Sequence, residues 1–402
     1  MRIGYFYRDY RRHRGLPGGT EGQPTATRNM AQAMAKHGAD VIVYCYTSNP
    51  HEQGVNEQDH ISVKSFYLPP SLQNINFVHV PPGLKEILSS NQDDLDALIL
   101  TGGFIPENYP VARLLQKSKI PYVFEPLEAF NPYSYYGFKG LRKSIYENLF
   151  EKNVVNNAAA IRIISSVQER HFQARGYRLR SDKFFAMKDG VDFEDIPTAA
   201  EIQELPAREP AQENSNVFGF LGRLVIYKKG LDILLQAWSI YMRRGGAGVL
   251  KIVGPDPSGG SIAKLRSMSA GLDLKNVEIL PPLHGAGKFT YLRSISILVH
   301  PSRHETIPRV LRESLAVGCP VVVTEQTNLQ DLVAEKGAGY VADLDADDLA
   351  EKMYMFSQTN ELQRQRMRAA ALEAAGELDY NVISNRYLRE IAARLAKMTA
   401  ER

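Results

Sequence analysis

Short apolar runs rich in β-branched and aromatic residues alternate with longer segments of helical period along most of this chain. The runs include Arg2–Tyr7, Val41–Tyr46, Ala97–Thr101, Tyr122–Glu125 and Ile161–Ile164, with helical stretches such as Pro24–Lys36 and Leu141–Val155 between them. Such alternation predicts a parallel sheet covered by helices on both faces. The pattern breaks over residues 197–216, PTAAEIQELPAREPAQENSN, which hold no sustained apolar run and read as a linker. It then restarts, with predicted strands at Val217–Leu221, Leu250–Val253, Glu278–Leu280, Ile297–Val299, Pro320–Thr324 and Gly339–Val341. Predicted helices fall at Leu231–Arg243, Pro308–Val317 and Asp347–Phe356. The expected fold class is α/β, with two doubly wound domains in tandem, residues 1–205 and 206–379. A last segment, residues 380–402, is periodic through Ile383, Tyr387, Ile391 and Leu395 and reads as a helix. Two such domains facing each other make a cleft, and ligands of such sheets bind beyond the carboxyl ends of the strands.

At 402 residues the chain is long enough for two buried cores. With 48 basic and 45 acidic residues, a net charge of +3, it is too balanced to favour nucleic acid as a main partner. Two local basic clusters stand out: Arg8, Arg11, Arg12 and Arg14, and Lys139, Arg142 and Lys143. Each is read either as a solvated surface or as a contact for an anionic acceptor or anionic lipid. Cys45 and Cys319 sit in apolar, strand-like text without neighbours at metal-ligand spacing and read as buried small hydrophobes. No run reaches the ~18 apolar residues of a membrane span, and the N-terminus lacks a signal-peptide core. A cytoplasmic protein is expected, with peripheral contact at the inner membrane left open. No G-x-G-x-x-G follows the first strand, which disfavours a dinucleotide-dependent dehydrogenase.

Two constellations carry chemistry. Gly222, Arg223 and Leu224, then Lys228, Lys229 and Gly230, follow the strand ending at Leu221. An arginine and a lysine there can clamp a diphosphate, the guanidinium bridging two oxygens and the ammonium acting as a point charge. A basic turn without a ligand would look the same. The second reads PSRHETIPRVLRE, from Pro301 to Glu313, after the strand ending at Val299. It puts Glu305 in a loop and Glu313 on the following helix, both toward one crevice. Ionised carboxylates only accept hydrogen bonds, which suits sugar and ribose hydroxyls. A capping glutamate and a surface glutamate would give the same text.

These stretches, FGFLGRLVIYKKGLDILLQA, KIVGPDP, LVHPSRHETIPRVLRESLAVGCPVVVTE and GAGYVADLDADDLAEKM, resemble the retaining glycosyltransferases of family GT4, with the GT-B fold. The two glutamates fit that family's E-x7-E signature. The resemblance implies two Rossmann-like domains across a cleft, with the C-terminal helix crossing back to the first. It implies transfer of a hexosyl group from a UDP-, GDP- or ADP-sugar to a saccharide or lipid-linked acceptor, as in polysaccharide biosynthesis, with no metal and no cofactor beyond the nucleotide sugar. Arg223 and Lys229 would hold the donor diphosphate, Glu305 the transferred sugar and Glu313 the ribose. Members with one extra residue in the basic loop carry the lysine where Lys229 stands, so Lys229 is preferred to Lys228. Gly222, His304 and the amides near Ile307 and Arg309 would complete the donor site. Gly18, Gly19 and Thr20 fit the glycine-rich loop of the acceptor side. Two departures are visible. Pro126-Leu127-Glu128 stands where many members have Pro-His-Gly, leaving Glu125 or Glu128 either as stand-ins on the acceptor side or as strand-end carboxylates with no reacting role, so no catalytic base is named. Thr327-Asn328 and Asp331 stand where members often have Gly-Gly and Glu. Tyr133, Tyr135 and Tyr136 are candidates to line an acceptor groove. The alternatives are a non-catalytic sugar-nucleotide-binding or scaffold protein of the same fold, or a sugar-nucleotide epimerase.

Overall fold

The structure, a computed structural model, describes residues 1–8, 22–58, 60–69, 79–127, 129–130, 137–191, 196, 201 and 216–400. Gly18, Gly19, Thr20, Arg11, Arg12, Arg14, Glu128, Tyr133, Tyr135, Tyr136 and nearly all of the expected linker lie outside the described residues. The chain divides into two compact units. One is Met1–Gly190 with Tyr380–Arg402, the other Val191–Asp379. The division falls at residue 190 rather than the expected 205.

In the first unit the described strands are β1 (Arg2–Phe6), β2 (Asp40–Thr47), β3 (Gly54–Gln58), β4 (Ile61–Tyr67), β5 (Ala97–Thr101), β6 (Tyr122–Glu125), β7 (Ala160–Ile163) and β8 (Phe184–Ala186). Their order is β3-β4-β2-β1-β5-β6-β7-β8, parallel except for the β3–β4 pair. That hairpin was absent from the expectation. Its β4 strand alternates buried Ile61, Val63 and Ser65 with half-buried Ser62 and Lys64, so it carries no continuous apolar run. The central strands β1, β2, β5 and β6 are buried on both faces.

The helix Tyr380–Ala400 covers one face of this sheet. Tyr380, Ile383, Tyr387 and Ile391 pack with Tyr5, Val43 and Ile99. A polar knot fastens it. Tyr387 OH donates to Glu125 Oε1 at 2.7 Å, Arg162 Nη1 donates to the same oxygen at 3.0 Å, and Thr101 Oγ1 donates to Oε2 at 3.0 Å. Arg162 also pairs with Asp189 at 2.6 Å and donates to the Met187 and Lys188 carbonyls. Glu125 is therefore a buried carboxylate with three donors, 4% exposed. Its oxygens hold Tyr387, Arg162 and Thr101, which ties this carboxylate into the frame of the sheet. Leu127 lies beyond it in the left-handed region, φ 56°, its carbonyl accepting from Gln168 Nε2.

The helix expected over Leu141–Val155 runs from Gly137 to Tyr146, widens into a π-turn at Glu147–Glu151, and resumes over Lys152–Asn157. The π-turn points Glu147 and Glu151 inward. Arg175 Nε donates to Glu147 Oε2 at 3.1 Å, and the Phe104 amide donates to Glu151 Oε1 at 2.9 Å. Burial pushes the Glu151 carboxyl up to about 8, so it stays protonated at neutral pH.

The second unit holds β9 (Val217–Leu221), β10 (Val249–Val253), β11 (Val277–Leu280), β12 (Ile297–His300), β13 (Val321–Thr324) and β14 (Gly339–Ala342), all parallel in the order β11-β10-β9-β12-β13-β14. Phe218, Trp238, Tyr241 and Phe356 stack edge-on in its core, uniting β9 with the helices Leu231–Arg243 and Ala346–Ser357. The strand order reverses between β9 and β12, which places a crevice at their carboxyl ends.

Tyr387→Phe removes one of the three donors to a buried carboxylate. It is expected to lower stability by about 1–2 kcal/mol in chemical denaturation. An unchanged midpoint would show that the hydroxyl contributes nothing to holding this helix.

Candidate functional site

The site is assembled by the loops leaving β9 and β12. After β9 the chain turns at Gly222, whose amide donates to Val253 O at 3.0 Å, and the Leu224 amide donates to Pro255 O at 2.8 Å. These two amides tie the turn to the loop after β10 and do not point at a ligand. The basic loop then makes one helical turn, Ile226–Lys229, and ends at Gly230 with φ 65°. A Cβ at Gly230 would lie 1.9 Å from the Pro301 carbonyl oxygen. Only glycine lets this loop rest on the turn that follows β12.

That contact sets Lys229 against Glu305. Lys229 Nζ donates to Glu305 Oε1, and both side chains are 10% exposed. Ser302 Oγ donates to the same oxygen at 3.2 Å. Lys228 is half-buried and forms no part of this pair. Arg303 braces the loop from behind. Its two terminal nitrogens bind Asp232 at 2.7 Å each, its guanidinium lies 4.2 Å from the Tyr227 ring centre, and its amide donates to Lys228 O.

Glu305 is also held through its backbone. Its amide donates to Gln326 O at 3.0 Å, and Asn328 Nδ2 donates to the Glu305 and Thr306 carbonyls at 2.8 Å each. Asn328 sits at φ 60°, a left-handed conformation that asparagine tolerates better than most side chains. Thr324 Oγ1 donates to Ser302 O at 2.9 Å. The stretch Thr324–Asp331, which departs from the family text, thus supports the loop that carries Glu305.

Glu313 lies on the helix Arg309–Ala316, with Pro308 as its N-cap. It is 3% exposed. Lys288 Nζ at 2.7 Å and Arg309 Nε at 2.8 Å both donate to its Oε1. Ile307 is buried, His304 half-buried, and Arg309 and Arg223 exposed. Arg223 makes no ion pair among the described residues. Lys229 thus meets Glu305, and Glu313 meets Lys288 and Arg309, while Gly222 and Arg223 open the loop after β9 and His304 and Ile307 share the loop of Glu305. Gly18, Gly19 and Thr20 lie outside the described residues. Lys288 and Arg303 were missed, and Asn328 was noted as a departure without a role. Arg303 stood inside a quoted motif, but Lys288 lies 25 residues before Glu313 with no spacing to announce it. Among the described residues, no three His, Cys, Asp or Glu side chains are placed to hold a metal.

His300 ends β12 beneath this site. It is fully buried, stacks on Phe220 at 5.4 Å, and neither ring nitrogen has a hydrogen-bond partner. Burial first, and then the charge on Lys229, hold its pKa well below 6.5. The folded state keeps this imidazole neutral where the unfolded chain takes up a proton, so stability is lost as pH falls below about 6.5, by up to about 1.4 kcal/mol per pH unit. His300→Leu should therefore unfold with a shallower pH dependence than the wild type between pH 7.5 and 5. Parallel stability profiles would contradict a neutral buried imidazole.

Comparison with known proteins places this arrangement. The profile described as "Glycosyl transferases group 1" matches residues 215–358, and that described as "Glycosyl transferase 4-like domain" matches residues 21–183. Together they span about three quarters of the chain. A glycosyltransferase of Haemophilus influenzae is 25% identical over 85% of this chain and 86% of its own length. Phosphatidyl-myo-inositol mannosyltransferase of Mycobacterium leprae is 27% identical over 50% of this chain and 53% of its own. Among solved structures, Anabaena HepE in complex with UDP and glucose superposes with a TM-score of 0.66 at 18% identity, over 98% of this chain and 100% of that one. No helix among the described residues is long and apolar enough to cross a membrane. The chain belongs to the group 1 glycosyltransferases of family GT4, with two Rossmann-like units of the GT-B fold.

Proposed function

We propose that this glycosyltransferase moves a hexosyl group from a nucleoside diphosphate sugar to a saccharide or lipid-linked acceptor, with retention at the anomeric carbon. The observation that carries the reading is the charge at the β9–β12 crevice. Arg223, Lys229, Lys288 and Arg309 bring four positive charges, Glu305 and Glu313 two negative, leaving a surplus of two. A diphosphate diester carries two negative charges, so the surplus suits that group. Complexes of HepE with UDP and glucose, and the mannosyltransferase name of the Mycobacterium relative, point toward the same ligand class.

In this reading Lys229 and Glu305 are each other's partners only until the donor arrives. The diphosphate then takes the ammonium, and Glu305 accepts from a hydroxyl of the sugar. Glu313, steadied by Lys288, accepts from the ribose hydroxyls. As the glycosidic C–O bond breaks, charge builds on the departing phosphate oxygen, where Arg223 and Lys229 stabilise it. The acceptor oxygen bonds to the anomeric carbon from the same face and gives up its proton to the leaving phosphate. Gly18, Gly19 and Thr20 are proposed to line the acceptor side.

Arg223→Ala and Lys229→Ala should each lower turnover about 10²–10³-fold, equivalent to about 2.7–4 kcal/mol of transition-state stabilisation. Unchanged turnover in both would remove them from the site. UDP, GDP or ADP should raise the melting midpoint of the wild type base-selectively, and Glu313→Ala should abolish the shift. No shift with any of the three would contradict a nucleotide donor.

A further inference from the structure

The helical segment running from Gly137 to Asn157 keeps an apolar stripe out of the core. Leu141, Ile145 and Leu149 are 59%, 52% and 63% exposed. They are spaced four residues apart, which brings them onto one side of a helix. Exposed apolar side chains usually occur singly and need no explanation, whereas a row of them marks a contact surface.

The charge beside this row has one sign. Arg142 is exposed and makes no ion pair among the described residues. Lys152 donates to Asn148 Oδ1 at 2.6 Å and not to a carboxylate. The two glutamates of the segment, Glu147 and Glu151, are each 1% exposed and are turned inward by the π-turn. Glu151 is protonated at neutral pH as well. The exposed side is thus apolar along its centre, cationic beside it and free of carboxylates among the described residues. That pattern belongs to helices lying in the plane of a membrane interface, apolar side chains between the headgroups and cations on the phosphates.

We propose that this face docks the protein onto an anionic lipid surface. A second copy of the chain fits it poorly. Three side chains on one helix fall far short of the roughly 800 Å² per partner of a stable interface, and a two-fold contact would set like charges together. Docking deepens the proposed function by favouring a lipid-linked acceptor over a soluble one. It rests on that reading for the acceptor alone.

The test is co-sedimentation of the full chain with vesicles of phosphatidylcholine, alone or mixed two to one with phosphatidylglycerol. The chain should bind the anionic vesicles and release them as salt is raised. The triple variant Leu141→Ser, Ile145→Ser, Leu149→Ser should partition about tenfold or more weakly. Arg142→Glu with Lys152→Glu, leaving the stripe intact, should remove the preference for phosphatidylglycerol. These side chains are exposed, so both variants should keep the wild-type melting midpoint and nucleotide shift. The proposal is overturned if the wild type ignores anionic vesicles, or if the triple variant binds them as well as the wild type does. It is also overturned if sedimentation velocity shows a wild-type dimer that the triple variant dissolves. The nucleotide shift, read on the same samples, separates the two claims. Nucleotide binding without vesicle binding defeats docking alone, and vesicle binding without nucleotide binding defeats the donor reading alone.

Discussion

The crevice of the second unit depends on one buried ion pair, Lys229 with Glu305, made between loops that leave two neighbouring strands. Placing two charges at 10% exposure is costly unless both find further hydrogen bonds. Here Ser302 supplies one, and the loop itself is fixed through Gln326, Asn328 and Thr324. The pair forms only because Gly230 lets the basic loop touch the Pro301 carbonyl. Strand order sets the two loops side by side, a missing Cβ lets them meet, and the meeting puts cation on anion.

The same logic explains how the charges of the crevice are balanced. Each glutamate is matched by cations from its own surroundings, so neither is left as a bare buried charge. The cations outnumber them, and Arg223 stands exposed with no partner among the described residues. In the proposed function such a crevice need not build new charge to receive the diphosphate; it needs only to exchange partners. Preorganisation of this kind is the main way a protein stabilises charge that develops during reaction. The first unit treats its polar groups differently. Glu125, Arg162, Asp189 and Tyr387 are bonded to one another and bind the C-terminal helix to the sheet, which makes them part of the frame.

Much of this was legible because both units write many of their elements plainly. Ala97–Thr101, Tyr122–Glu125, Val217–Leu221 and Leu231–Arg243 begin and end where their apolar periods do. Arg223, Lys229, Glu305 and Glu313 lie close to strand ends, so their positions follow once the strands are known. The β3–β4 hairpin was not legible, because its residues alternate and its outer strand is polar. The π-turn at Glu147–Glu151 leaves no mark in a 3.6-residue period. The place of Glu125 was left open, because a carboxylate at a strand end looks the same whether it awaits a ligand or is held by Tyr387, 262 residues away. Lys288 escaped for the same reason, and Asn328 was noted without a role: tertiary contacts, not spacing, bring them to the two glutamates.

The most direct measurement is amide hydrogen exchange of the full chain with and without UDP, GDP and ADP. If the β9–β12 crevice holds the diphosphate, the matching nucleotide will slow exchange over residues 222–231 and 301–313, with lesser change around Lys288. Protection confined to residues 1–190, or none with any of the three, would contradict a donor site built on Lys229, Glu305 and Glu313.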